Sequence, residues 1–503
     1  MSESKGDSIE IDKAEKDEPI QDDYLHGTRL IALTVSLLLG MFLVALDNTI
    51  IGTAIPKITD EFHDLNKVSW YGSAYFMTFG GSFQSTWGKV FKYFPLKLWF
   101  LIALLIFEIG SLVCGVAQDP TTLIVGRAIA GLGGSGVAVG VFTMLGLAAS
   151  PEKRPQLLGF TGAAYVGGLS AIIIFFFFKP PNSAKPTQAP LKEKLLQMDF
   201  VGATLMIGLI ISFILALQYG GQTHSWKSSQ VIGLLVGFVV LVAVFVLWEI
   251  YQKERAMIVP RLRYVWVGSV FMFFFGGAYF VLLYYLPIYF QSIHEASPIG
   301  SGVRMLALII PLTITAIVQG FALSKIGIVP AFWIFGGALA TVGCGLIYTM
   351  DANTSAGKWI GYQILVGFAT GLTFQVAIAN AQVHAKFEDL SQVSAIINFF
   401  VTIGGAFFIS AVQCAFNNQV IKELMANLPG IDPSIVLGIG ATQIRQEFTS
   451  SQVPIVLDAY MVGLKAVFAI TTAAYGISAI VGLFGSWKRL NEDEIKQAAG
   501  GAA

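Results

Sequence analysis

Charge is what this chain has least of. Lys, Arg, Asp and Glu make up 12% of its 503 residues, about half the share found in a soluble domain. With 55% hydrophobic residues and 39 phenylalanines, it has too little polar surface for an ordinary water-soluble fold. Its 31 basic and 31 acidic residues cancel, which leaves no basic footprint for a nucleic-acid partner. The three cysteines, Cys114, Cys344 and Cys414, all fall in apolar runs. They make no metal-ligand spacing and read as small packing residues. The five histidines are scattered without ligand spacing, so neither a metal nor a cofactor is expected. No GxxxxGK[ST] loop occurs, which argues against an ATP-driven pump. The first residues, MSESKGDSIEIDKAEKDEPIQDDYLHG, lack the basic start and apolar core of a signal peptide. Residues 1–28 read as a disordered acidic tail.

In place of charge the chain has long apolar runs. The first, Arg29–Lys57, is uncharged from Leu30 to Leu46 and is long enough to cross a bilayer as a helix. Further runs are Trp70–Trp87, Leu98–Ala117, Leu123–Ala149 and Gln156–Phe178. More begin near Phe200, Val231, Val267, Val303, Ala331, Ile360, Val393 and Met461. About thirteen spans are therefore expected, in an all-α polytopic membrane protein. Lysine and arginine gather in alternate loops: Lys89, Lys92 and Lys97; Lys153 and Arg154; Lys253, Arg255, Arg261 and Arg263; Lys488 and Arg489. The intervening loops QDP, GGQTHSWKSSQ and QSIHEASPIGSG are poor in them. The basic side reads as cytoplasmic, with both termini on it.

One segment breaks the alternation. PEKRP before Gln156–Phe178 and KPPNSAKPTQAPLKEK after it are both basic, yet one apolar run separates them. A single crossing cannot return to its own side. Either the run is a re-entrant hairpin, or one loop defies the charge rule, or roughly one crossing and a loop, about 20 residues or more, is missing. On the outer side, residues 417–460 are too polar to span. There VIKELMANL and SIVLGIGATQIRQEF read as short amphipathic helices over the outer mouth.

Ionisable residues inside a bilayer are candidates for function, and Asp47, Glu108 and Arg127 lie in the first four runs. At 1.5 Å per residue, Asp47 and Arg127 sit about 7 and 10 Å outward of their helix middles. They are expected to pair, which relieves the cost of both charges. Glu108 lies near the middle of its run with no partner at its depth. A carboxyl buried there favours its neutral form, which suits a proton-coupling site; a packing role is the alternative. Ser73, Tyr75, Gln84, Tyr279, Tyr284, Gln375 and Asn398 are polar and aromatic groups suited to the wall of a cavity for a bulky amphipathic molecule. Gly131, Gly133, Gly134 and Gly136 permit close helix packing.

The stretch LDNTIIGTAIPKITDEFHDLNKVSWYGSAYFMT (Leu46–Thr78) resembles the first-span signature of the major facilitator superfamily. Within it, the likeness is to the fungal fourteen-span drug–proton antiporters, which include toxin efflux pumps. GRAIAGLGGSG (Gly126–Gly136) is similar to that superfamily's fourth-span motif. FEIGSLVCG (Phe107–Gly115) and KWIGYQILVGFATGLTFQVAIANAQ (Lys358–Gln382) look like further stretches of the subfamily. The resemblance implies two six-helix bundles, 29–178 and 251–487. Between them it implies a cytoplasmic loop, 179–199, and two central spans within 200–250, with a tail at 488–503. It implies a transporter rather than an enzyme, exporting small amphipathic drugs, toxins or secondary metabolites by rocking of the two halves. The proton gradient stands in place of a cofactor, and Asp47 and Arg127 carry the proton-coupling role. A monomer in the plasma membrane is expected. Uptake of a siderophore or nutrient stays open as an alternative, as does a shortened, transport-inactive product.

Two departures from the family pattern stand out. The loop Gly88–Lys97, GKVFKYFPLK, has no acid where the family carries G-x-x-x-D-R-x-G-R, which weakens an ion-paired latch at the inner gate. And GFTGAAYV (Gly159–Val166) runs straight into GGLSAIIIFFFFKPP, without the fifth-span antiporter motif ending in Gly-Pro. It looks like the start of span five fused to the end of span six, at the place where the charge pattern fails.

Overall fold

The computed structural model describes residues 27–62, 68–80, 83–149, 153–161, 186–431, 436 and 444–489. Among them the regular structure is helical, apart from one isolated bridge between Gly220 and His224. Residues 1–26 of the expected acidic tail lie outside the described residues, whereas Gly27 and Thr28 begin the first helix.

In chain order the helices are α1 Gly27–Phe62, α2 Val68–Gly80, α3 Phe83–Tyr93, α4 Leu96–Gly115, α5 Pro120–Ala148 and α6 Arg154–Thr161. Then follow α7 Leu191–Leu196, α8 Phe200–Tyr219, α9 Ser229–Gln252, α10 Trp266–Ser292, α11 Pro298–Ile326 and α12 Val329–Tyr348. The last are α13 Ala356–Thr373, α14 Val376–Val383, α15 Leu390–Asn427, α16 Ile444–Glu447 and α17 Val453–Gly482. Short polar residues set the starts. Asp119 accepts from Thr121 N and Thr122 N at 2.9 and 3.0 Å, with Pro120 first in α5. Ser297 accepts from Gly300 N at 3.0 Å at the head of α11, which ends at Gly327 in the left-handed region, φ 68°. These are the N-cap and C-terminal glycine devices that satisfy the orphan groups of helix ends.

Eleven helical stretches among the described residues are long and apolar enough to cross a membrane. The shorter α2 and α3 together occupy the second expected run. Of the fifth, Gln156–Phe178, only the residues in α6 are described. The outer segment differs from expectation. Residues 420–427 are not a separate helix but the last turns of α15, which runs 38 residues. No Gly or Pro falls between Gly405 and Pro429, and Val412, Phe416, Val420 and Leu424 continue one buried stripe at four-residue spacing. At its other end, α17 starts at Val453 rather than Met461, because Val456, Ala459 and Tyr460 extend the buried face and Pro454 suits a first turn.

Burial separates the helices by role. In the N-terminal half α5 is the central helix, 83% buried across its span, whereas α9 is 11% buried and turns Val236, Val239, Val240 and Leu247 outward. Glycine lets α5 sit between its neighbours. A Cβ on Gly131 would meet Tyr75 O of α2 at 2.5 Å, and one on Gly133 would meet Ala103 O of α4 at 2.7 Å. Backbone-to-backbone contact of this kind is how helices associate where lipid removes a hydrophobic drive. In the C-terminal half α10 packs against α15 and α17, with Phe275 against Tyr475 of α17 at 5.0 Å, while Phe271 stacks on Trp333 of α12 at 5.2 Å.

The basic loops gather on one face. Lys92 and Arg261 both reach Asp389, Arg154 reaches Gln382 O at 3.2 Å, and Arg489 reaches Lys325 O at 2.7 Å. The opposite face carries Asn417–Gln222 at 2.8 Å, Tyr289–Asp351 O at 2.8 Å and Arg445–Ser292 O at 2.9 Å. Thr187 N donates to Lys92 O at 2.9 Å. The described residues on both sides of 162–185 therefore lie on the basic face. A single crossing that inverts everything after Lys179 is excluded, and the later basic loops keep the same side as Lys92.

Candidate functional site

The two charges expected to pair do so. Arg127 of α5 donates from Nη1 to Asp47 Oδ2 at 2.6 Å, and from Nε to Tyr71 O at 3.1 Å. Its guanidinium carbon stands 4.2 Å from the centroid of the Tyr75 ring. The Arg127 side chain is 2% exposed and that of Asp47 17%. The two members have different freedoms. Asp47 is the member that can accept a proton. A proton reaching Asp47 weakens the ion pair, while Tyr71 O and the Tyr75 face continue to hold the guanidinium. Among the described residues the buried charged side chains are Lys89, Arg127, Arg154, Asp199, Glu249 and Asp389, and Arg127 is the one away from the basic face.

Tyr284 of α10 lies within electrostatic reach of Arg127 and Asp47. It packs against Phe76 of α2, ring centroids 6.1 Å apart, and its buried hydroxyl has no partner. It brings the C-terminal half up to the pair. Tyr75 supports the guanidinium from within the N-terminal half instead of lining a cavity. Gln84 bridges the halves through Thr402 Oγ1 at 3.2 Å, and Thr402 bonds back to Asn398 O at 2.8 Å, so Gln84 and Asn398 come together. Tyr279 packs on Phe374 at 5.4 Å, beside Gln375, whose Oε1 is buried without a partner. The side chain of Ser73 lies outside the described residues.

Glu108 stands elsewhere than expected. It is exposed on the outward face of α4, beside Leu105, Ile109 and Leu112, rather than buried in the bundle. The helix settles this by its period: Phe100, Ala103, Leu104 and Phe107 take the buried stripe, and Glu108 falls on the other side.

An ion-paired cluster on the basic face was missed in the sequence because its acid comes from the other half. Lys92 Nζ binds Asp389 Oδ1 at 3.0 Å, and Arg261 binds the same carboxylate through Nη1 at 2.8 Å and Nη2 at 3.1 Å. The loop Gly88–Lys97, with no acid of its own, is thus latched by a cation to an acid across the interface. Burial acts to raise the Asp389 carboxyl, but the Arg261 hydrogen bonds and the Lys92 charge outweigh it and hold it below its ordinary value. Beside the latch, Gln382 Nε2 donates to Phe142 O at 2.9 Å.

The sequence profile described as Major Facilitator Superfamily matches residues 37–177 and 159–409. The probable efflux pump gsfJ of Penicillium aethiopicum is 69% identical over 509 residues, covering 96% of this chain and 92% of that protein. The MFS-type efflux pump MFS1 of Trichophyton rubrum is 35% identical over 536 residues, covering 99% and 100%. Both matches run longer than this chain supplies. Of its 503 residues 96% is about 483, against 509, and 99% is about 498, against 536, so the relatives carry about 26 and about 38 positions without a counterpart here. Among solved structures, the human organic anion transporter MFSD10 superposes with a TM-score of 0.56 at 12% identity, covering 91% of this chain and 100% of that one. The proton:xylose symporter XylE gives 0.55 at 14% identity, covering 94% and 99%. At such identities the likeness is one of fold.

Proposed function

The chain belongs to the major facilitator superfamily, and on that premise we propose that it exports small amphipathic molecules, of the drug, toxin or secondary-metabolite kind, in exchange for protons. The observation that carries the reading is the Asp47–Arg127 pair, 2.6 Å apart. It sets a carboxylate that can accept a proton against a guanidinium held by Tyr71 O and the Tyr75 face, at the level where Tyr284 of the other half arrives. Relatives named as efflux pumps support the outward direction. The basic face is assigned to the cytoplasm by the positive-inside rule, with both termini there, and the protein acts as a monomer in the plasma membrane. In this cycle protonation of Asp47 loosens Arg127, the Lys92–Asp389–Arg261 latch opens, and substrate enters from the cytoplasm. Loss of the proton restores the pair.

Everted membrane vesicles loaded with a proton gradient test this, with rhodamine 6G as the amphipathic probe. Gradient-driven accumulation inside the vesicles is expected. Accumulation that survives a protonophore removes the coupling, and movement in the opposite sense makes the protein an uptake carrier.

A second reading rests on the positions that the relatives carry and this chain lacks. If they complete the path through 162–185, this product is inactive. A version with that stretch of gsfJ inserted would export while the present chain would not. Equal export by both would dismiss the reading.

A further inference from the structure

The two central helices α8 and α9 stand outside both six-helix bundles, and their buried acids converge on one short strand of backbone. We propose that α8 and α9 are a fixed part of the C-terminal half, and that Lys89 is the positioning residue that locks the N-terminal half onto them when the cytoplasmic side is closed. The proposal rests on the rocking of two halves described above.

The attachment to the C-terminal half is made at three depths. At the outer end Asn418 Nδ2 of α15 donates to Gly220 O at 3.1 Å, and Asn417 Nδ2 donates to Gln222 Oε1 at 2.8 Å. Midway, Phe213 of α8 stacks on Phe407 of α15, centroids 4.3 Å apart and planes 17° from parallel. At the inner end the segment leading into α10 is held by its N–H groups. Glu249 of α9 accepts from Met257 N at 3.2 Å and from Ile258 N at 2.7 Å. Asp199, the N-cap of α8, accepts from Met257 N at 3.0 Å through one oxygen. Its other oxygen accepts from Trp248 Nε1 at 2.8 Å and from Gly202 N at 3.0 Å. Asp199 holds φ 47° to do this, a left-handed conformation that Asp tolerates better than most residues.

The carbonyl groups of the same segment face the N-terminal half. Lys89 Nζ donates to Arg255 O at 2.5 Å and to Ala256 O at 2.6 Å, and Ser85 Oγ donates to Met257 O. The Lys89 side chain is 1% exposed and within electrostatic reach of both Asp199 and Glu249. Residues 255–258 are therefore bound on their N–H side by the central helices and on their C=O side by α3. A buried cation that loses its acceptors is costly, so Lys89 can leave only where water enters, as the inner face opens. The two acids stay bonded to N–H groups of their own half in either state. The moving boundary thus runs between α3 and the 255–258 segment, and not between the central helices and α10.

Spin-label distances on the purified chain test this without requiring export, so failure of the export reading and failure of this one are separable. With Cys114, Cys344 and Cys414 replaced by alanine, one label pair at Leu98 and Ile326 reports the two halves. A second pair at Tyr251 and Ile326 reports the central helices against the C-terminal half. All three positions are exposed. Lys89→Met is expected to add a longer Leu98–Ile326 distance and to leave Tyr251–Ile326 unchanged. Ser85→Ala, a milder change that keeps the lysine, is expected to shift the same population in the same direction by less. A Tyr251–Ile326 distance that lengthens together with Leu98–Ile326 would overturn the proposal, as would no change in either pair for either variant.

Discussion

Replacing Arg127 by methionine keeps most of the length and apolar volume of the side chain and removes all of its N–H donors. The change leaves the Asp47 carboxylate, 17% exposed, without its cation, and leaves Tyr71 O without the donor now 3.1 Å away. Breaking a buried ion pair by removing one partner costs about 3–5 kcal/mol. Asp47 keeps some contact with solvent and can take up a proton, so the loss belongs at the lower end, about 3 kcal/mol. Asp47→Asn costs less, because Tyr71 O and the Tyr75 face still hold the guanidinium, and a desolvated cation–π contact is worth up to about 2 kcal/mol. The double variant Asp47→Asn/Arg127→Met carries no buried charge at the site. It is expected to be more stable than Arg127→Met alone, with a coupling energy of about 1–3 kcal/mol between the sites. Thermal denaturation in detergent, read by size-exclusion of the survivors, gives the stabilities, and gradient-driven export is measured in parallel. All three variants should lose coupled export, while the double variant regains stability. Two single losses that merely add in the double variant would refute the reasoning. So would Arg127→Met with wild-type export.

Glu108→Gln should leave the pH profile of export unchanged, because the side chain faces away from the bundle; a flattened profile would return Glu108 to the coupling machinery. The Asp389 carboxyl is held below its ordinary value, so the latch it forms is complete above about pH 4 and is lost only as pH falls through the lowered value. The Leu98–Ile326 spin-label distance should therefore be unchanged from about pH 5 to 8 and should lengthen in Asp389→Asn; a lengthening within that range in the unaltered chain that Asp389→Asn abolishes would contradict this. Gly133→Leu should sharply reduce the yield of folded protein, since a Cβ there meets Ala103 O at 2.7 Å, whereas Gly115→Leu, with nothing within 4 Å, should not; equal yields would show that α4 and α5 can move apart.

The spans were legible because a bilayer imposes one rule on every residue of a run, and a window of apolar residues records it directly. The pairing of Asp47 with Arg127 was legible for a related reason: depth follows from residue count along a helix, and two opposite charges at one depth have few other ways to be satisfied. Glu108 shows where that reasoning stops. Depth is set by position in the run, but the facing is set by which stripe its neighbours bury, and Phe100, Ala103 and Phe107 decide it. The inner latch was unreadable from its loop, because Lys92 and Asp389 are separated by nearly 300 residues and neither segment alone looks like half of an ion pair. Lys89, Asp199 and Glu249 were hidden for another reason. Their partners are backbone groups of residues 255–258, and a backbone group leaves no mark in the sequence.

The charge pattern and the relatives' lengths give two quantities of similar size. Arg154 and Thr187 lie on the same face. Two crossings of a hydrocarbon core about 30 Å thick need about 20 helical residues each. The apolar run Gln156–Phe178 supplies 23. What is lacking is close to one further crossing, and the relative at 69% identity carries about 26 positions that this chain does not (509 against about 483). The shortfall expected from the charge of two short loops and the difference in matched length are therefore of similar size. Three contacts tie the later helices to the N-terminal half: Lys92 to Asp389, Lys89 to the 255–258 backbone, and Gln84 to Thr402.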